Sequence, residues 1–230
     1  MLNSIKQIIK KNLRNLGKTI LLTSVKDKSF TIFSNDCYGG EIYRIMQMPY
    51  NTPFVGLMLM GPCYLKFLSE PHKYLKSTFT FIEESKYDEI NKLRNLKGMY
   101  PIGLLNDIEV HFLHYETEQD AIEKWQRRAT RINWNNLKIK FSIDKDYSDI
   151  NSLNIFSKLN FRDKVSFSNN QYKDYSFNIL IPNNVSDATV TFRLSLGLFN
   201  LIGWLNDGRI HFANPIEKIK ATIIYYAFRK

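Results

Sequence analysis

Between Phe30 and Tyr43 an apolar run, Phe30-Thr-Ile-Phe-Ser34, breaks into small polar residues, a cysteine and two glycines, and Glu41-Ile-Tyr43 then resumes with helix-compatible residues. That is the punctuation of a strand, a turn and a helix. In an open α/β sheet, ligands bind outside the carboxyl ends of the strands. The segment therefore constrains the fold and places a candidate site in it, without naming a reaction.

At 230 residues the chain suits one large domain, with room for a smaller C-terminal lobe. Hydrophobic residues at 44% and aromatics at 14% can repay the cost of ordering the backbone, so a substantial core is expected. Two cysteines, Cys37 and Cys63, do not make a disulfide framework, and a reduced cytoplasmic protein is expected. No apolar run reaches membrane-spanning length, and the basic N-terminus lacks the continuous apolar stretch of a signal peptide. The formal charge is +10, but Lys6, Lys10, Lys11, Arg14, Lys18, Lys26 and Lys28 stand against Asp27 alone in residues 1–28. The rest of the chain is only mildly basic, which disfavours nucleic acid as a partner.

Residues 1–28 form a basic amphipathic segment, ahead of an α/β domain over 29–230. Within it, Ile5, Ile8, Ile9, Leu13, Leu16 and Ile20 recur at helical spacing. Such a helix can lie on an anionic membrane surface, peripheral at its inner face, or pack on its own domain with a solvated basic face. Gly17 weakens it by roughly 1 kcal/mol relative to alanine. Further strands are expected at Phe54–Met60, 78–82, Ile108–His114, Leu137–Ile143 (lysines on one face), Lys164–Phe167 and Phe177–Ile181. Helices are expected at 62–68, 117–131 and 147–159, residues 86–95 read as helical or irregular, and residues 217–228 fit helix or strand. The alternation predicts a three-layer α/β open sheet, parallel or mixed, with strand order left open.

Two groups of residues carry chemistry. In the first, Ser34, Asn35, Asp36, Cys37, Gly39, Gly40 and Glu41 follow the first strand. The glycines are expected to shape a binding turn, and Asn35 and Asp36 to orient a ligand. Cys37 or Ser34 is a nucleophile only with a neighbouring base or a lowered pKa. The glycine pattern is neither a dinucleotide fingerprint nor a Walker A loop. In the second group, Asp107, Glu109, His111 and His114 supply acids and bases. His111 is the preferred general base with Glu109 or Asp107 orienting it, and His114 stands in reserve. Two histidines and two acids without an established ligand spacing do not define a metal site. Arg128, three residues beyond Trp125, suits a phosphate or carboxylate. His211 is a further partner for the first turn. Each of these residues also has a plain structural role open to it.

Three segments then carry a resemblance. Ser34–Glu41 fits Ser-Asn-x-Cys-x-Gly-Gly-Glu. Asn51–Leu57 fits Asn-Ser/Thr-Pro-Phe-x-Gly-Leu. Tyr100–Tyr115 fits Tyr-Pro-x-Gly-x-Leu-x-Asp-x-Glu-x-His-Phe-x-His-Tyr, and Trp125-x-x-Arg128 and Arg131-Ile-Asn-Trp-x-Asn-Leu137 follow it. Together they resemble the DUF1919 family, often labelled exopolysaccharide biosynthesis protein, over most of residues 30–170. The resemblance implies a bacterial α/β protein of surface-polysaccharide production and a transferase acting on a sugar or sugar-linked carrier. It implies a sugar nucleotide, an acyl donor or a glycan carrier as partner. It assigns no cofactor and no catalytic residue. A Cys- or Ser-dependent acyltransferase or esterase, and a non-catalytic glycan- or carrier-binding accessory protein, are the alternatives.

Overall fold

The computed structural model describes residues 2–182 and 185–229. Helix α1 (Leu2–Ser24) leads into β1 (Thr31–Ser34), followed by α2 (Tyr38–Met46), α3 (Gly61–Ser69) and α4 (Pro71–Lys76). Strands β2 (Thr80–Ile82), β3 (Ile102–Leu105) and β4 (Ile108–His111) come next, with α5 (Asp88–Lys97) between β2 and β3. Helix α6 (Glu118–Ala129) precedes β5 (Leu137–Ser142), α7 (Ile150–Lys158), β6 (Asp163–Ser168) and β7 (Asn178–Leu180). Helices α8 (Ala188–Ser195), α9 (Leu201–Asp207) and α10 (Pro215–Phe228) complete the described chain.

Strands β1, β5, β6 and β7 form one parallel sheet in that order, while β2, β3 and β4 form a separate antiparallel sheet. Parallel strands are covered on both faces, which is why β1 is buried throughout. Phe33, Ile139 and Phe141 pack on one side with residues of α3, α6, α7 and the small sheet. Ile32, Val165, Phe167 and Ile179 pack on the other with α2, α8, α9 and α10. The result is the expected layered α/β architecture. Its four parallel strands all point their carboxyl ends the same way.

Two local expectations are corrected. Phe54–Met60 is not a strand: it crosses between the sheets as an irregular connector with a single bridge, Met58 to His111. Val55 N–H turns back onto the Pro53 carbonyl, and Gly56 takes φ +73°, so the pleat cannot continue. Gly39 and Gly40 do not form a turn either; they sit in the first turn of α2, which starts at Tyr38. A Cβ at Gly39 would lie 3.0 Å from the Ile32 side chain, so this glycine lets the helix close onto β1.

Residues 217–228 are helical, within α10. Helix α10 runs antiparallel to α1: Lys220 Nζ reaches Ser24 Oγ at 3.1 Å, and a Cβ at Gly17 would lie 2.5 Å from Ala227 Cβ. Gly17 thus sits where the two helices approach most closely. Gly17→Ala is expected to lower the urea midpoint, even though alanine favours helix by roughly 1 kcal/mol. Overpacking at so short a distance costs about 1–3 kcal/mol. An unchanged or raised midpoint would show that the helices part without cost.

Candidate functional site

The carboxyl end of β1 is built around a buried carboxylate. Asp36 Oδ1 accepts from Lys140 Nζ at 2.6 Å, from Ser34 Oγ at 3.1 Å and from Tyr38 N–H at 3.1 Å. Its Oδ2 accepts from Ser142 Oγ at 3.0 Å and Lys145 Nζ at 3.1 Å. Asn35 extends the sheet one residue beyond β1, its Oδ1 accepting Ser142 N–H at 2.9 Å. Burial pushes the Asp36 carboxyl up, but Lys140 and Lys145 beside it outweigh burial and hold it well below the usual carboxylate range. Burial also pulls the Lys140 ammonium down to about 8, against the pull of Asp36. Lys140 lies over the faces of Tyr38 and Phe167.

Lys140 and Lys145 were not among the residues the sequence singled out, yet a signal for this end of the sheet exists. Three parallel strands end on the same word: Phe33-Ser-Asn-Asp36, Phe141-Ser-Ile-Asp144 and Phe167-Ser-Asn-Asn170. Asp144 accepts the N–H groups of Asn169 and Asn170, each at 2.9 Å, and the Tyr172 hydroxyl at 2.6 Å. Asp144, Asp146 and Tyr147 all have positive φ, so the loop after β5 is held in a costly conformation. The cavity among Ser142, Lys145, Ser168, Asn169 and Thr191 measures only about 10 Å³, room for at most one water. These strand ends form a densely hydrogen-bonded, charged floor and leave no space for a substrate within it.

A cleft of ligand size lies instead beside His114, the neighbour of Cys37. Cys37 Sγ is 3.8 Å from His114 Nε2, and His114 is exposed. His114 also walls a cleft of about 500 Å³ with Tyr100, Leu113, Tyr115 and Glu116. Backbone geometry seats it: His114 N–H donates to Gly56 O at 3.0 Å, and a Cβ at Gly56 would lie 3.2 Å from His114 Cβ. Gly56 is needed there for its positive φ and for the close approach. Val55 O in the same turn accepts the Tyr115 hydroxyl at 2.6 Å, and Arg128 Nη1 donates to Tyr115 Oη at 2.5 Å. The Arg128 guanidinium stacks on Tyr50, so this arginine braces the turn and is buried. The segments around Cys37, Gly56, His114 and Arg128, distant in sequence, thus meet at one place.

The other candidates lie elsewhere. Asp107 is at the β3–β4 turn, bound to Lys66 Nζ and the Tyr74 hydroxyl, which push its carboxyl down to about 2. Glu109 is buried and accepts from Ser85 Oγ at 2.6 Å and Lys86 N–H at 2.9 Å. His111 is fully buried beneath Tyr100; its Nε2 is 3.3 Å from Glu109 Oε2, but neither ring nitrogen has a partner in hydrogen-bond geometry. The alternation of β4 does place Glu109 and His111 together, but the segment from Ser85 to Tyr100 covers that face. Ser34 is buried with its hydroxyl on Asp36, out of reach as a nucleophile. Glu41 pairs with Arg44 along α2. His211 contacts Ser176 O, at the opposite end of β7 from the serine floor. Among the described residues, no group of three or more His, Cys, Asp or Glu side chains is placed to hold a metal ion.

The model of a family described as a domain of unknown function, DUF1919, matches residues 7–197. The chain belongs to the DUF1919 family. It is similar to an uncharacterized protein of Haemophilus influenzae (strain ATCC 51907 / DSM 11121 / KW20 / Rd), at 33% identity over 168 residues, 73% of this chain and 75% of the relative. In this DUF1919 chain the match takes in the serine floor, the Gly56 turn and His114, and ends just after α8.

The chemistry open to Cys37 is bounded by its surroundings. Burial pushes its thiol up, the Asp36 carboxylate adds to this, and together they bring it to about 11. At neutral pH it is a thiol, and it becomes nucleophilic only as a base takes its proton. Alkylation of Cys37 by iodoacetamide, read by intact mass, is expected to accelerate with pH up to about 11. Buried Cys63 should remain unmodified. A rate that levels off near neutral pH would show a resting thiolate and overturn this.

Proposed function

We propose that this protein is a group-transfer enzyme of bacterial surface-polysaccharide assembly, acting on a sugar or a sugar-linked carrier in the cleft walled by His114, the neighbour of Cys37. The supporting observation is the seating of an exposed histidine at the carboxyl end of β1, 3.8 Å from Cys37, on the wall of a cleft of ligand size. His114 is the general base in this reading. Its Nε2 takes the proton of an acceptor hydroxyl as that oxygen bonds to the transferred group, and the donor's leaving group departs with its electron pair. Tyr100 and Tyr115 supply aromatic wall, which suits the apolar face of a sugar ring. The polysaccharide assignment rests on the family resemblance.

A second reading uses Cys37 itself. His114 Nε2 would take the Sγ proton as the sulfur attacks an acyl donor and return it to the departing leaving group, giving a thioester. An acceptor hydroxyl, deprotonated by His114, then attacks that carbonyl, the C–S bond breaks and Cys37 recovers its proton. The Cys37–His114 contact favours it, whereas the raised thiol requires deprotonation during attack.

The test is turnover across a panel of sugar nucleotides and acyl-CoA donors with acceptor glycans, read by product mass. Product from the parent protein supports the proposal. A mass increment on the parent that is missing from Cys37→Ala selects the acyl route. Binding of a carrier without turnover selects the accessory role. Silence across the panel from folded protein counts against an enzyme.

A further inference from the structure

Among the described residues, helix α1 meets the body through its C-terminal half. Leu21 and Val25 are buried and Gly17 meets α10, whereas residues 5–12 are all exposed. The free end carries large apolar side chains: Ile5 is 51% exposed, Ile8 56%, Ile9 60% and, further along, Leu16 49%. On a helix advancing about 100° per residue these four fall within an arc of about 100°. The arc is centred about 150° from the Gly17–Leu21 line that faces the body. Ile5, Ile8, Ile9 and Leu16 therefore point away from the protein's own core, while Leu13 and Ile20 at the edge of the stripe are partly buried, Ile20 against the core.

The side opposite the stripe carries the cations. Lys6, Lys10, Lys11, Arg14 and Lys18 occupy it, and no acidic residue occurs between Leu2 and Ser24. An outward apolar stripe flanked by cations is the pattern of a helix that lies in the plane of an anionic interface. A second copy of the same helix is a poor occupant, because five like charges would be brought against five. No helix among the described residues is long and apolar enough to cross a membrane. The stripe is suited to lying on a bilayer.

We infer that α1 docks this protein on an anionic lipid surface, with Ile5, Ile8, Ile9 and Leu16 entering the headgroup boundary and the lysines held at the phosphates. The inference stands independently of the reaction proposed above. Each cation near such a surface contributes separately, and the attraction is screened by salt.

The experiment is co-sedimentation of the full-length protein with phosphatidylcholine vesicles containing about one-third phosphatidylglycerol, against pure phosphatidylcholine. Binding to the anionic vesicles alone, weakening as salt is raised, is expected. The Ile5→Glu/Ile8→Glu/Ile9→Glu variant should lose at least about 10-fold in affinity, because the inserted area is replaced by charge. Lys6→Glu/Lys10→Glu/Lys11→Glu should lose about 100-fold or more. All six positions are exposed, so the urea midpoint should not move; if one triple variant fails to fold, the other still tests the inference. Failure of the parent to bind anionic vesicles would overturn it. So would undiminished binding by the folded variants, or a parent dimer in sedimentation equilibrium that the isoleucine variant abolishes.

Discussion

Asp36→Asn is expected to destabilise the native state by about 3–5 kcal/mol, the cost of removing one partner from a buried ion pair. The substitution preserves shape, but Lys140, fully buried, loses its counter-charge, and Lys145 loses one of its two carboxylate partners. Urea unfolding monitored by circular dichroism measures it. Asp36→Asn/Lys140→Met should recover part of the loss, because a buried pair replaced by apolar volume is often neutral or better. The pH dependence has a defined sign. Lys140 and Lys145 overcome the burial cost and hold the folded-state Asp36 pKa below its unfolded value, near 3.9. Its contribution is therefore present above about pH 4 and is lost as pH falls through the folded value. Asp36→Asn should flatten the acid limb of the stability profile. A variant as stable as the parent, with the same acid limb, would show that the lysines are satisfied by other means.

His114→Ala is expected to leave stability nearly unchanged and to reduce turnover by about 10²–10⁴-fold, the range for removal of a general base. The side chain is exposed, and its backbone bond to Gly56 O is retained in alanine. His111→Ala should behave in the opposite way. Its ring is wholly buried between β4 and Tyr100, so removal lowers the urea midpoint. The folded fraction should keep its turnover number. Comparing the two on the same donor–acceptor pair separates a reacting histidine from a core histidine. A His114→Ala protein with parental turnover would remove the base assigned here.

Much of the fold is legible in residue order. β1 follows from an apolar run that stops at a polar cluster, β5 from alternating apolar residues and lysines, and α6 from Thr117 as cap with acids early and arginines late. What is not legible depends on contacts between distant residues. Phe54–Met60 reads as a strand because all its members are apolar or glycine, and the turn at Val55 with the left-handed Gly56 stops it. Gly39 and Gly40 read as a turn because glycine in a helix is unfavourable, but the contact of Gly39 with Ile32 explains one of them. The candidate site divides likewise. The turn after β1 and the segment ending at His114 are visible in sequence, and they meet at Cys37. Lys140 and Lys145 are not visible as its floor, because a lysine in a strand gives no local sign of being buried against a carboxylate. Period-two alternation separates His111 from the apolar face of β4, but it cannot reveal that residues 85–100 cover the other face.

The chain has four histidines, His72, His111, His114 and His211, so their ring resonances form a small and assignable set. Titrating the donor–acceptor panel into the protein while following these resonances tests most directly whether the end of β1 is the functional centre. A site at Cys37 and His114 predicts that the productive ligand shifts His114 and leaves His72 and His211 in place. A panel that leaves His114 unmoved, or a turned-over ligand that shifts His72 or His211 instead, would contradict it.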